Sequence, residues 1–271
     1  MTLSQCLDQM PGFHHLVRWL RIRQIMGGLL RRFPVVRTLP DSGVKYRLRY
    51  LETFFLADEF FKRQVYGHVV EPHTKNFIDL GCNAGLFAAL IAHETGRRDL
   101  RGLMVDANEE MVAESRWLLA ANGLREVQVL HGLVGAEHRD ASAEFYLLPS
   151  NLGSSQFPVY EPGKPPKGDW KKTTVPCLDL EAVWRKHFGN ERCHLAKVDI
   201  EGSEKNLFHT DGQFFQRVDR MVLEWHQWII PRQELEKILA AQQFHLVRVL
   251  HEVETSGIAL YQRASSPPNT A

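Results

Sequence analysis

Two acidic residues and a histidine, each near the end of a predicted strand, are the side chains best suited to proton transfer in this chain. Asp199 and Glu201 lie at the end of the apolar run 194–200, and His226 follows the next apolar run, which ends in LEWH. A carboxylate, or an imidazole with an ordinary pKa of about 6.5, can accept a proton from a hydroxyl group. The simpler alternatives are an ion pair with Lys197 for the acids and a structural role for the histidine.

A group of small residues ends an earlier apolar strand. In FIDLGCNAG, which covers residues 77–85, Gly81, Asn83 and Gly85 precede an apolar run that predicts a helix. Free N–H groups and the positive end of the helix dipole meet at such a junction, and glycine lets a ligand approach the backbone closely. Asparagine tolerates left-handed backbone angles. The turn therefore predicts a site for a nucleotide-like ligand.

The spacing within this turn separates two classes of cofactor. A dinucleotide turn has glycine at i, i+2 and i+5, but the third place here is Leu86. The spacing i, i+2, i+4 is typical of S-adenosylmethionine sites and gives Gly81, Asn83 and Gly85. Asp106, at the end of the second strand, is expected to accept hydrogen bonds from two ribose hydroxyls. Nicotinamide-dependent reduction is therefore the weaker alternative.

Three further residues lie near these strand ends. Leu133 or Val134, after the third strand, could form a wall of an adenine pocket or belong to the ordinary core. Asn108 is expected to cap the helix that begins at residue 109.

The elements that must position these residues alternate between strand and helix, which predicts an α/β fold with a mostly parallel sheet. The expected strands are 76–80, 101–105, 126–130, 143–148, 173–177, 194–200 and 218–224. The expected helices are 84–94, 109–121, 178–187, one from residue 203, and 232–242. Segments 244–251 and 258–262 are predicted to form a closing antiparallel hairpin. Parallel strands gather their carboxyl ends at one edge, which brings the acids near the turn.

The regions outside this series predict three accessory segments. Residues 1–70 are expected to form a small cap, with a basic amphipathic helix at 12–33 interrupted by Gly27 and Gly28, a strand or hairpin at 44–50 and a helix at 52–66. Residues 71–264 form the main domain, in which 149–172 is a lid or a disordered loop. Residues 265–271 are a flexible tail. The arginine-rich stretch 12–37 either packs on the domain or contacts an anionic membrane surface.

Composition limits the remaining possibilities. The chain has 271 residues, 44% of them apolar, and a formal net charge of +1, which gives no general attraction to nucleic acid. No apolar run reaches the about 18 residues of a membrane span, and the start lacks a signal-peptide pattern. Four cysteines without metal-site spacing favour reduced thiols and a cytoplasmic protein, peripheral at most to the inner face of the membrane. A homo-oligomer is an open alternative.

Four motifs between residues 76 and 262 resemble those of the FkbM-type class I methyltransferases. NFIDLGCNAGLFA is similar to the cofactor turn of that family, and VPCLDLEAVW to a second conserved segment. KVDIEGSEKNLF is similar to its KIDVEGAE signature, and VDRMVLEWH to its strand that ends in Glu and a polar residue. Cys82 replaces the usual alanine, and Asp106-Ala107-Asn108 replaces the usual Glu-Pro-Asn.

The resemblance implies a Rossmann-like class I methyltransferase fold, with a mostly parallel seven-stranded sheet, a C-terminal antiparallel hairpin and a small N-terminal helical cap. It also implies methyl transfer from S-adenosylmethionine to a hydroxyl of a sugar, glycan or secondary metabolite. Glu224 would be an orienting or structural acid. Nucleic acid is not expected as acceptor, because residues 199–202 lack the Pro-Pro-aromatic turn of base N-methyltransferases and acids repel phosphate. A non-catalytic cofactor-binding protein is a further alternative.

The candidate residues fall into two sets. The cofactor-binding set is Asp79, Gly81, Cys82, Asn83, Gly85, Asp106, Ala107, Leu133 and Asp199. The catalytic set is Asp199, Glu201 and His226. Metal assistance by Asp199 and Glu201 is an open alternative, but no metal site is predicted, because no third ligand is evident at useful spacing.

Overall fold

A computed structural model describes residues 22–136, 141–148, 154–155 and 170–264. The helices are α1 (Ile22–Arg32), α2 (Leu51–Phe61), α3 (Leu86–Thr95), α4 (Glu109–Asn122), α5 (Leu180–Phe188), α6 (Glu204–Thr210), α7 (Gly212–Phe215) and α8 (Arg232–Ala241). The strands are β1 (Val35–Thr38), β2 (Lys45–Leu48), β3 (Asn76–Leu80), β4 (Arg101–Asp106), β5 (Glu126–His131), β6 (Ser142–Leu147), β7 (Lys171–Pro176), β8 (Cys193–Val198), β9 (Val218–His226), β10 (Phe244–Glu252) and β11 (Ser256–Arg263). The predicted helix before residue 22, most of the predicted lid and the tail 265–271 lie outside the described residues.

The central sheet has seven strands in the order β10-β11-β9-β8-β3-β4-β5. The pairs from β9 to β5 are parallel, and β11 pairs antiparallel with both β9 and β10. The predicted α/β architecture and its closing hairpin are therefore confirmed. The strand predicted at 143–148 does not join this sheet in the described part of the chain, because β6 pairs with β7 in a separate two-stranded sheet.

Strand β3 lies in the middle of the sheet, and all five of its residues are buried. Phe77 packs into one hydrophobic cluster, with α3 and α4, whereas Ile78 and Leu80 pack into another, with α5 to α8. Helices thus cover both faces, which explains why the strand reads as a continuous apolar run rather than as an alternating pattern. This burial fixes the end of β3, where the glycine turn begins.

The N-terminal elements differ in detail from the predictions. Helix α1 continues through Gly27 and Gly28, so the predicted interruption there is wrong. Helix α2 ends at Phe61 rather than at residue 66, because the chain turns at Gln64 with a φ of +52°. The hairpin of β1 and β2 is fastened to α4, where Glu114 accepts hydrogen bonds from Arg47 and from Arg49 of the next segment.

The apolar side chains of α1 are largely exposed, with 59% of Ile25 and 56% of Leu29 accessible to solvent. This exposure does not decide between an intramolecular partner and a membrane, so membrane contact through residues 12–37 stays a prediction. None of the described helices is long and apolar enough to cross a membrane.

Candidate functional site

The turn after β3 adopts left-handed backbone angles at three positions. The φ values are +77° at Gly81, +46° at Asn83 and +82° at Gly85, as expected from residues that tolerate this region. A Cβ atom on Gly81 would lie only 1.7 Å from the carbonyl oxygen of Asp199. Glycine at position 81 therefore lets the exits of β3 and β8 touch, and this contact places the acids beside the turn.

Gly85 and Cys82 fix the turn by packing closely against Met104 and Ser115. A Cβ atom on Gly85 would meet the side chains of Met104 and Ser115 at 3.2 Å. The Cys82 thiol is buried, lies 3.5 Å from the Ser115 hydroxyl and has its pKa raised well above the ordinary value by burial. A neutral buried thiol of this kind is a packing group rather than a nucleophile.

Asp106 ties the turn to the end of β4. Its carboxylate accepts one hydrogen bond from the N–H of Asn83, at 2.7 Å, and one from the N–H of Asn108, at 2.8 Å. Burial raises the pKa of Asp106, and these two N–H groups oppose the rise. Each carboxylate oxygen keeps a lone pair for a ligand hydroxyl. Asn108 accepts a hydrogen bond from the N–H of Glu110 and caps α4, which confirms that prediction.

One open cleft collects nearly all of the predicted cofactor residues. Those that line it are Asp79, Gly81, Cys82, Asn83, Asp106, Ala107, Leu133 and Asp199, together with Val134 and the predicted catalytic Glu201. Gly85 is not among the lining residues and shapes the turn through its backbone. The cleft lies at the carboxyl ends of β3, β4 and β8, which is where open α/β sheets bind ligands.

Asp79 is a buried carboxylate at the floor of the cleft. Within the described part of the chain neither of its oxygens receives a hydrogen bond, and its ion pair is with Lys197, whose Nζ lies 3.4 Å from Oδ1. Burial raises the pKa of Asp79 to about 6, against the opposing effect of Lys197. A carboxylate this poorly compensated fits a ligand that carries positive charge, as the amino acid part of S-adenosylmethionine does.

Lys197 connects Asp79 to the catalytic candidates. Its buried Nζ donates to the carbonyl of Gly81 at 3.1 Å and to Oδ2 of Asp199 at 3.3 Å. Burial alone would lower the pKa of Lys197, but Asp199 and Asp79 raise it above its ordinary value. From the sequence, Lys197 is expected only to pair with a neighbouring acid. A single lysine inside the apolar strand HLAKV is nevertheless a signal that this residue has buried acidic partners.

The charge on Asp79 should make the folded protein less stable at alkaline pH. The unfolded chain releases this proton near pH 3.8 and the folded protein near pH 6, so the folded state loses stability as pH rises between these values and does not regain it above them. We expect Asp79→Asn to stabilise the protein by up to about 3 kcal/mol at pH 8 and by about half of that at pH 5. In this variant Lys197 still has its ion pair with Asp199, so its buried charge is not left without a carboxylate.

Thermal denaturation at the two pH values tests this expectation. Asp99→Asn serves as the control, because that carboxylate is exposed and paired on the surface; we expect little change from it. A variant at position 79 that is less stable than the wild type at pH 8, or equally affected at both pH values, would contradict the assignment.

The ring of His226 lies between two carboxylates. Its Nε2 is 3.2 Å from Oε2 of Glu201, and its Nδ1 is 3.0 Å from Oε1 of the fully buried Glu204. Burial alone would lower the pKa of His226, but hydrogen bonds to Glu201 and Glu204 outweigh it and raise the pKa to about 12. A pKa raised in this way disfavours His226 as a general base, and its part in catalysis stays a prediction. The ring can instead orient Glu201.

Glu201 occupies a left-handed backbone position, with a φ of +50°, and Gly202 follows at +103°. Such angles cost on the order of 1–3 kcal/mol in a residue with a side chain and persist where the surrounding structure imposes them. Glu224, from the end of β9, lines the same cleft, and burial followed by the charge of Asp199 raises its pKa well above the ordinary value. Asp199, Glu201 and His226 are thus brought together, with ligand atoms within 4.8 Å of one another.

Comparison with known proteins identifies a family for this chain. Residues 50–253 match the model of the methyltransferase FkbM domain. A comparison with curated proteins finds no match.

Several solved structures are similar at low identity. The METTL16 MTase domain is 13% identical, with 90% of this chain and 80% of that chain covered and a TM-score of 0.47. The human methyltransferase 10 domain containing protein is 14% identical, with coverages of 91% and 96% and a TM-score of 0.47. TrmK of M. capricolum, in complex with S-adenosyl-homocysteine, is 6% identical, with coverages of 77% and 70% and a TM-score of 0.44. These similarities are too distant to indicate a substrate.

The family match covers most of the chain, including the glycine turn, Asp106 and the segment with Asp199 and Glu201. The chain belongs to the FkbM methyltransferase family and is a methyltransferase that uses S-adenosylmethionine.

Proposed function

We propose that the protein transfers the methyl group of S-adenosylmethionine to a hydroxyl oxygen of a sugar, glycan or secondary metabolite. The observation that carries this proposal is the placement of the Asp199 and Glu201 carboxylates on the wall of the cofactor cleft, next to the glycine turn. A hydroxyl acceptor must lose a proton during methyl transfer, and a carboxylate at this position can receive it.

The residues of the cleft divide into those that hold the cofactor and those that face the acceptor. Asp106 would bind the ribose hydroxyls, Leu133 would pack against the adenine, and the charge of Asp79 would balance the amino group. When bound, S-adenosylmethionine supplies an electrophilic methyl group on a positively charged sulfur. The backbone N–H groups of the turn and the first turn of α3 complete the cradle.

In the proposed reaction the acceptor oxygen forms a bond to the methyl carbon as the carbon–sulfur bond breaks, and the electron pair of that bond stays on sulfur. The hydroxyl proton passes to Glu201, whose carboxylate His226 holds at 3.2 Å. Alignment of the attacking oxygen within about 3 Å of the methyl carbon supplies most of the rate enhancement. Asp199 would position the acceptor through Oδ1, because its Oδ2 is paired with Nζ of Lys197.

Nucleic acid is a poor fit as acceptor. The residues Asp199 and Glu201 at the proposed acceptor position are acidic, and they would repel phosphate groups. The segment after β8 also reads Asp-Ile-Glu-Gly rather than the Pro-Pro-aromatic turn expected for methylation of a base nitrogen.

Incubation with labelled S-adenosylmethionine and a fractionated cell extract tests the proposal. We expect mass spectrometry to find the label in the carbohydrate or small-metabolite fraction and none in the RNA fraction. Heat-treated protein serves as the control. Label confined to RNA would contradict the proposed acceptor class.

A further inference from the structure

We propose that Asp199, Glu201 and His226 bind one divalent cation on the acceptor side of the cleft. The inference rests on the proposed function, since the cation would hold the acceptor hydroxyl beside the cofactor. Each of the three residues offers one ligand atom, and these atoms lie within 4.8 Å of one another. Adjacent ligands of a small divalent ion at about 2.1 Å are about 3 Å apart, so modest side-chain rotations close the site.

The support behind His226 is typical of a metal-binding histidine. Glu204, which is completely buried, lies 3.0 Å from Nδ1 and also accepts the N–H of Gly202 at 3.2 Å. This carboxylate fixes the ring so that Nε2 points towards Glu201. Histidine ligands of metals commonly donate their second N–H to a carboxylate in this way. A cation bound at Nε2 would displace the proton that this nitrogen shares with Glu201.

The distribution of charge also favours a cation. Among the described residues at this end of the sheet, the carboxylates Asp79, Asp199, Glu201 and Glu204 outnumber the cation Lys197, and the ring of His226 lies between two of them. Lys197 lies within 3.4 Å of both Asp79 and Asp199, so its charge is already shared. A divalent ion between Asp199 and Glu201 would balance the excess that remains.

Access to the site is open from the cleft. The side chains of Asp199 and Glu201 are 27% and 28% exposed, whereas Glu204 is sealed behind the histidine. Three protein ligands leave about three positions of an octahedral ion free for water or for acceptor oxygens. A hydroxyl held beside the cation would ionise more readily, with its proton passing to the second carboxylate oxygen of Glu201. Such a site would favour acceptors that offer two neighbouring oxygen atoms.

The ligand set indicates which ion to use as a probe. Carboxylates and water suit Mg²⁺ and Mn²⁺, and the imidazole makes Mn²⁺ the better match of the two. Titration of the full chain with Mn²⁺, followed through the electron paramagnetic resonance signal of the free ion, measures binding without any catalytic turnover. We expect one Mn²⁺ ion per chain, bound more tightly than about 1 mM, the weak end of the range for protein sites.

Four variants distinguish a specific Mn²⁺ site from non-specific attraction of the ion by acidic residues. Asp199→Asn and Glu201→Gln should each weaken Mn²⁺ binding at least about tenfold, because each loses a charged ligand. Glu204→Gln should weaken it about 10–100-fold although Glu204 is not a ligand, because the histidine loses its anionic support. Asp219→Asn, at the other end of β9, should leave binding unchanged. Circular dichroism checks that each variant is folded.

Absence of Mn²⁺ binding by the wild type, or equal binding by Asp199→Asn and the wild type, would overturn the proposal. Calorimetry with S-adenosylmethionine is performed on the same samples. If the protein binds the cofactor and methylates hydroxyl groups but binds no metal, the cation site is wrong and the proposed function stands. Methyl transfer to an acceptor of another class, with metal binding intact, would overturn the proposed function alone.

Discussion

Replacing Gly81 with alanine should abolish cofactor binding and lower the free energy of unfolding by about 4 kcal/mol or more. An L-residue in the left-handed region costs about 1–2 kcal/mol. The larger cost comes from the Cβ atom, which would lie 1.7 Å from the backbone oxygen of Asp199. Neither strand exit can move freely, because β3 and β8 are buried and paired in the middle of the sheet. A loss of this size is exceptional for one methyl group.

Gly96→Ala is the matched control for this variant. Gly96 ends α3 with a φ of +67°, but an added Cβ atom there would meet nothing within 4 Å. We expect only the backbone cost of about 1–2 kcal/mol, with cofactor binding unchanged. Urea denaturation and calorimetry with S-adenosylhomocysteine measure both quantities. Cofactor affinity in Gly81→Ala that equals the wild type would show that the turn does not hold the cofactor.

Replacing Glu201 with glutamine should lower kcat by about 10²–10⁴ and leave the affinity for S-adenosylmethionine nearly unchanged. The amide keeps the shape of the side chain and can still accept the N–H of His226, but it cannot take up a proton. Glu201 is proposed to face the acceptor, whereas Asp106 and Leu133 are proposed to hold the ribose and the adenine. Steady-state kinetics with an acceptor from the labelled extract, together with cofactor titration, measures the two effects separately.

Glu144→Gln provides the comparison for this change. Glu144 lies on β6, is 60% exposed and pairs with Lys172, so we expect wild-type kinetics. An unchanged kcat in Glu201→Gln, or an equal loss of cofactor affinity, would contradict the role given to Glu201. Adding excess Mn²⁺ distinguishes two causes of a fall in kcat, because it restores turnover only when the loss reflects weaker metal binding.

The cofactor half of the site could be predicted because its signals are local. The run of buried residues in β3, the left-handed turn at Gly81, Asn83 and Gly85, and the acid that ends β4 each depend on a few neighbours in the chain. Parallel strands then bring these ends together through a general property of α/β sheets.

The acceptor half depends on contacts between distant residues, which the spacing alone does not reveal. His226 and Glu204 are 22 positions apart, and Lys197 and Gly81 are 116 positions apart. The ordinary pKa of histidine suggests a base at position 226, but two carboxylates that meet the ring only in the folded protein raise this pKa. Helix α1 continues through Gly27 and Gly28 despite the low helix propensity of glycine, which is a weak guide within a single helix.

The atom that receives the methyl group tests the proposed reaction most directly. Incubation with S-adenosylmethionine carrying a ¹³C-labelled methyl group, followed by carbon NMR of the purified product, distinguishes oxygen, nitrogen and carbon as the site of attachment. We expect the labelled methyl on oxygen in the wild type and strongly reduced labelling in Glu201→Gln. Label on nitrogen or carbon, or label that stays on the cofactor throughout, would contradict a hydroxyl methyltransferase built on Asp199 and Glu201.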